Sequence, residues 1–184
     1  MKNLFLVVLL LIPAALFAQK DTAGLHVPMN NGGVVYEKVF NAPGKTQMQL
    51  FNAAQEWFIG RYRTDRVIEM IDTVNMRIIG KGKETVNFTG PVNASIPFDD
   101  RMSIQVDCKD GKYRCRMYSI ALTIQDPAER DKTAVGPEDM VNILTGKNGK
   151  GGFNKAQARR MLEALNSTIN SAMASLDKTM NDSF

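Results

Sequence analysis

The dipeptide Asp110-Gly111 narrows the folds open to this chain more than any other feature. Asp-Gly is a preferred two-residue hairpin turn, because its two residues tolerate the positive φ that such a turn needs. Apolar residues stand at every second position on both sides of it: Ile104, Val106 and Cys108 before, Tyr113, Cys115 and Met117 after. Closing the turn pairs Cys108 with Tyr113, Val106 with Cys115 and Ile104 with Met117, and it sets Asp107 beside Arg114 on the other face. One apolar and one charged face come out of a single register, and a slip by one residue would exchange them. The chain therefore builds an antiparallel sheet with one buried side.

Beyond Met117 the apolar parity changes to Tyr118, Ile120, Leu122 and Ile124. A bulge between Met117 and Ser119 accounts for the change, since one inserted residue flips every later side chain; burial on both faces is the alternative. Upstream, residues 34–40 are β-branched and aromatic and stop at the turn signal Pro43-Gly44, which reads as a first strand. From Thr46 the period changes, and Leu50, Phe51, Ala54, Trp57, Phe58 and Tyr62 share one side of a helix. Two strands are expected over 66–72 and 76–88, the second holding Gly80 and Gly82, whose place inside a strand signals a bulge or a close backbone approach. Residues 90–97 read as a loop. Residues 125–153 read as a long loop with room for a short helix at 138–144. Asn154 then caps a long C-terminal helix over 154–184, whose apolar stripe is Ala158, Met161, Leu162, Leu165, Ile169, Ala172, Met173, Leu176 and Met180. The expected fold is α+β, in the order β-α-β-β-β-β-α, with a mostly antiparallel five-stranded sheet and its helices on one face.

The amino terminus is a different kind of segment. Lys2 leads into the apolar run from Leu4 to Ile12, followed by Pro13, Ala14, Ala15 and Ala18 before Gln19. This is the pattern of a signal peptide over residues 1–18. A membrane helix needs about 20 apolar residues, so stable membrane insertion after cleavage is not expected. Residues 19–32 lack periodicity and read as a flexible leader, which leaves 33–184 as one α+β domain. The expected destination is the periplasm or the outside of the cell.

Composition removes most chemistry. His26 is the only histidine, and it lies in the leader, so nucleophile–histidine triads and histidine-rich metal sites are not expected. No catalytic, cofactor-binding or metal-binding residue is assigned. The adjacent acids Asp99 and Asp100, and Glu138 and Asp139, point to opposite faces in a strand and read as solvated. Cys108 and Cys115 lie diagonally on one hairpin face, with Cα atoms about 7 Å apart or more, so a disulfide competes with two small buried thiols, and the thiols are favoured. Lys147, Lys150, Lys155, Arg159 and Arg160 surround a glycine-rich loop and a helix start, a candidate anion-binding group that lacks the Walker A pattern. A basic stripe at Lys112, Arg114 and Arg116 competes with an ordinary polar sheet face, and the polar face is preferred. A formal charge of +4 is too small to point to nucleic acid.

The segments Gly32 to Tyr62 (GGVVYEKVFNAPGKTQMQLFNAAQEWFIGRY) and Arg77 to Lys83 (RIIGKGK) resemble a family of exported bacterial proteins of unknown function with a TATA-box-binding-protein-like fold. The resemblance covers residues 33–124. It implies a single repeat of that fold with a strongly curved sheet, and it carries over no site residue. A single repeat is half a saddle, which implies a homodimer joined edge to edge or an unknown envelope protein as partner. The functional expectation is a non-enzymatic exported binding or interaction protein. A periplasmic carrier of a small lipid or glycan ligand, lined by residues such as Met102, Met117 and Met161, is the alternative.

Overall fold

The computed structural model describes residues 24–62, 66–89, 95–124 and 134–182. In chain order the elements are β1 (Met29–Asn30), β2 (Gly33–Val34), β3 (Tyr36–Asn41), α1 (Gln47–Arg61), β4 (Ile68–Asp72), β5 (Arg77–Thr89), β6 (Ser95–Lys109), β7 (Lys112–Ile124), α2 (Pro137–Leu144) and α3 (Lys155–Asp182). The expected signal peptide lies outside the described residues.

The hairpin forms in the register read from the sequence: Cys108 opposes Tyr113, Asp107 Arg114, Val106 Cys115 and Ile104 Met117. Gly111 has φ 71°, as the turn requires. The tip also organises its surroundings, since Asp110 Oδ1 accepts a hydrogen bond from the Gln47 N–H at 2.7 Å. A carboxylate at a helix start is favourably placed against the helix dipole. The parity change in β7 is a bulge: Tyr118 pairs with Ser103 and Ala121 with Arg101, so Ser119 and Ile120 together face Met102. Ser119 adopts φ 51° there.

All neighbouring strands are antiparallel, and the five-stranded sheet has the order β3-β7-β6-β5-β4. β1 and β2 form a separate hairpin. Helices α1 and α3 pack on one face. On α1, Leu50, Phe51, Ala54, Trp57 and Phe58 are buried as the period predicts, and Ala53 joins them. Burying each of the large side chains contributes roughly 1.5–3 kcal/mol. Thr46 caps this helix in a reciprocal box with Gln49; replacing Thr46 with alanine is expected to cost about 1 kcal/mol in urea unfolding.

Gly80 and Gly82 mark close approaches to α1. A Cβ on Gly80 would lie 2.6 Å from Phe58 Cε1 and 2.6 Å from the Val67 carbonyl oxygen, and one on Gly82 would lie 2.9 Å from the Tyr62 ring. Every residue of the predicted α3 stripe is buried. Polar anchors fix the angle of this helix on the sheet. Tyr113 donates to Asp177 Oδ1 at 2.7 Å, Tyr36 donates to Asn166 Oδ1, and Trp57 Nε1 donates to Ser175 Oγ at 3.2 Å.

The leader and the loop after β5 differ from the sequence reading. From residue 24 onward the expected flexible leader is part of the fold: Val27 is buried, Val35 N–H donates to the Pro28 carbonyl and Asn166 donates to the His26 carbonyl. The expected loop at 90–97 gives up Ser95, Ile96 and Pro97 to β6, where they oppose Thr89, Phe88 and Asn87. The short helix expected at 138–144 within the long loop forms as α2 at 137–144, and Val135 bridges to Leu122. Residues 125–133 of that loop lie outside the described residues.

Candidate functional site

Strand alternation divides the sheet's polar residues between two surroundings. On the face away from the helices, Asp107 is the hub of a charge ladder, with Arg77 at 2.5 Å, Arg114 at 2.8 Å and Gln105 Nε2 at 2.9 Å. Glu37 continues it toward Arg114 at 3.9 Å and Arg116 at 3.7 Å. Burial by itself would raise the Asp107 pKa, but the hydrogen bonds from Arg77, Arg114 and Gln105 outweigh it and hold the carboxyl below its ordinary value. The charges of Arg114 and Arg116 are thus compensated by neighbouring acids.

The same face holds a cavity of about 310 Å³ beside the bulge. The register Lys81 with Ser103, Gly82 with Met102 and Lys83 with Arg101 puts two lysines, an arginine and a serine around a floor made by Gly82 and Met102. Ser119 closes the side formed by the bulge. Lys81 meets Glu69 at 2.5 Å and Lys83 meets Asp99 at 3.0 Å. Arg101 is exposed and has no ion-pair partner among the described residues.

Under the helices the sheet carries a second polar group. Glu84 and Asp100 are directly opposed across β5 and β6, a like-charge pair that is unfavourable unless it is compensated. Arg61 Nη2 and Nε reach Glu84 Oε1 at 2.6 and 2.9 Å. Asp100 is 0% exposed; its Oδ1 accepts from the Glu84 N–H at 3.0 Å, while its Oδ2 has no partner. Burial, with the Glu84 charge adding to it, pushes the Asp100 carboxyl up to about 7. The Tyr62 hydroxyl, 5% exposed, is also without a partner. Burial raises its pKa as well. This group can hold or release a proton inside the fold.

Asp99 and Asp100 do face opposite ways, but the expectation that they are solvated is wrong, because both are buried. Asp99 accepts from Thr85 Oγ1 at 2.8 Å on the open face. Glu138 and Asp139 brace the fold: Glu138 Oε1 accepts from Val34 N–H at 2.6 Å, and Asp139 accepts from the Gly136 and Lys150 amides. Extending the alternation Ile104, Met102 backward lands on Asp100, and extending Ile78, Gly80, Gly82 forward lands on Glu84. That was the available signal for two charges in the core line.

Cys108 and Cys115 are free, buried thiols, and burial pushes both up to about 12, so they stay protonated at neutral pH. In the glycine-rich segment, Lys147, Lys150, Lys155 and Arg160 are exposed, and Arg159 meets Glu163 at 2.9 Å. Asn154 Oδ1 accepts from Gln157 N–H, and Gln157 Oε1 accepts from Asn154 N–H, so the helix start supplies its own acceptor. The five cations do not converge on a buried polar group.

Residues 36–123, from the first sheet strand to the end of the hairpin, match the family model for a domain of unknown function (DUF4468) with TBP-like fold. The matched stretch takes in all five strands of the sheet and α1. A crystal structure of a DUF4468 family protein from Bacteroides ovatus ATCC 8483 is similar, with TM-score 0.70 and 20% identity over 87% of this chain and 94% of that one. A TBP-like protein from Parabacteroides distasonis ATCC 8503 is similar with TM-score 0.68 and 17% identity, over 86% of this chain and 99% of that one. At such identities the likeness concerns the fold. Both alignments reach beyond residues 36–123, so the likeness takes in elements outside the DUF4468 match. No curated protein matches the chain. The charge ladder, the cavity and the Glu84 and Asp100 pair all lie inside the matched residues 36–123.

Proposed function

We propose that this is an exported, non-enzymatic binding protein that meets its partner with the sheet face its helices leave uncovered. The observation that carries this reading is the surface itself: all five strands present side chains there, with Val39 58% exposed and Met70 40% exposed among compensated charges. Mixed apolar and charged surface of this kind suits a protein interface. Export rests on the pattern of residues 1–18, and the periplasm or the cell exterior is the place of action. The non-enzymatic reading is supported by thiols held protonated and by acids engaged in bracing contacts.

The carrier alternative draws less support. Met117 and Met161 are wholly buried and Met102 nearly so, packed into one continuous core. A groove of about 660 Å³ between α1 and α3 is bordered by Gln49, Asn52, Glu56, Lys178 and Asp182, a polar lining unsuited to a lipid.

A second copy is a specific version of the partner. Edge strand β4 and its turn expose Ile71 at 50% and Val74 at 88%, where sheet edges usually carry charge. Light scattering of the mature 19–184 chain at tens of micromolar is expected to give a doubled mass, reduced to monomer by Ile71→Lys. A monomeric parent protein removes the dimer.

The wider reading is tested on protein recovered from its native envelope. A co-purifying protein or doubled mass is expected, lost in Val39→Glu and kept in Met48→Glu, a substitution on the exposed side of α1. A small added mass that leaves on denaturation favours the carrier. A bare monomer in every case overturns the interaction reading.

A further inference from the structure

We propose that the cavity beside the β7 bulge is an oxyanion site that takes a phosphoryl group. This rests on the uncovered face being the binding face and gives that face a ligand chemistry. Donors approach the cavity from three strands: Lys81 and Lys83 from β5, Arg101 and Ser103 from β6, Ser119 from β7. A carboxylate offers two oxygens, whereas a phosphoryl group offers three strong acceptors, which better matches a planar guanidinium, an ammonium and two hydroxyls.

The neighbouring acids are already accounted for. Asp99 neutralises Lys83, and Lys83 in turn is held in place by it. The pair of Lys81 with Glu69 is exposed, with side chains 67% and 40% accessible. Such a pair contributes little, so Lys81 is free to turn toward an anion. Arg101 brings a charge that pairs with no acid among the described residues.

The strand bulge adds a backbone feature to the cavity wall. The bulge sets Ser119 and Ile120 against the single residue Met102, which interrupts the ladder and takes a backbone group out of strand pairing beside the cavity. Tyr62 backs the cavity floor from the helix side: its ring lies 2.9 Å from where a Cβ on Gly82 would sit, on the face opposite the Lys81 and Lys83 side chains.

The test is a titration of the isotopically labelled mature chain with inorganic phosphate, followed by amide shifts, with sodium chloride at matched ionic strength as the reference. Shifts are expected at Lys81 to Lys83, Arg101, Ser103 and Ser119. Arg101→Gln, at an exposed position, should weaken binding about tenfold with the fold unchanged. Shifts that sodium chloride reproduces, or that Arg101→Gln leaves unaltered, overturn the site. The source of the group is read separately by sedimentation with vesicles of phosphatidylglycerol and phosphatidylcholine against phosphatidylcholine alone. Arg101-dependent retention on the anionic vesicles assigns the phosphoryl group to a lipid headgroup, and phosphate binding without retention assigns it to a soluble phosphate compound. Loss of partner capture in Val39→Glu alongside a blank phosphate titration would sink only the oxyanion site. Phosphate binding alongside undiminished capture in Val39→Glu would sink only the interaction reading.

Discussion

Replacing Gly80 with alanine is expected to destabilise the protein by about 3 kcal/mol, because the new methyl group would have to displace both a ring and a piece of backbone. The added Cβ would sit 2.6 Å from Phe58 Cε1 and 2.6 Å from the Val67 carbonyl oxygen. Phe58 is wholly buried against the sheet and stacks edge-on with Trp57, so its ring has no open space to turn into. The Val67 carbonyl accepts from the Lys81 N–H at 2.8 Å, which ties the β4 approach to β5. Relief in either direction breaks something: the helix lifts from the sheet, or the β4 edge shifts. Gly60 is the control. Nothing lies within 4 Å of a Cβ there, and the position is helical, so Gly60→Ala should stabilise by roughly 0.5–1 kcal/mol. Urea unfolding of the two variants reads the contrast directly. Equal and small effects would mean that α1 does not press on the glycine.

The same glycines show what could be read from sequence and why. Gly80 and Gly82 interrupt an otherwise strand-like run, and a residue without a side chain inside a strand already implies close approach, although only the fold says that Phe58 and Tyr62 are what approaches. Period-two and period-3.6 patterns are strong where one face is buried along its whole length. The β6 and β7 hairpin therefore came out in the right register, with its bulge at Ser119, and all nine positions of the α3 stripe face the core. The pattern is weak where polar residues hold core positions. Asp100 and Glu84 continue two apolar series, yet a charged residue in the series reads as its end, and Ser95 to Pro97 reads as loop because proline usually stops a strand. The cationic cavity was illegible for another reason. Lys83 and Arg101 become neighbours only through the pairing of β5 with β6, and the loop joining those strands carries no two-residue turn signal that would set their register.

Stability should fall as pH rises from about 4.5 to 8, and Asp100 is the reason. Its folded pKa of about 7 lies above the ordinary carboxylate value of 3.8, so in this interval the native state holds a proton that the unfolded chain has given up. A group raised in this way contributes its full stability below the unfolded pKa and loses it as pH climbs through the folded one; the expected loss is roughly 3 kcal/mol. Asp107 works in the opposite direction. Held below its ordinary value by Arg77, Arg114 and Gln105, it stabilises the fold above the unfolded pKa and withdraws that contribution as pH drops through the depressed one. The two carboxyls together place the stability maximum on the acid side of neutrality, between the range where Asp107 has become protonated and the range where Asp100 ionises. Asp100→Asn should remove the neutral-side slope while keeping the acid limb. An asparagine carbonyl can still accept from the Glu84 N–H, and its amide can donate where the unpartnered oxygen now sits, within the group that also holds the unpartnered Tyr62 hydroxyl. The variant should therefore be the more stable protein at pH 8 and close to the parent near pH 4.5. Urea midpoints measured across this range decide it: parallel curves for parent and variant would show that Asp100 already ionises freely in the native state, with water or a rearranged Arg61 supplying what its second oxygen lacks.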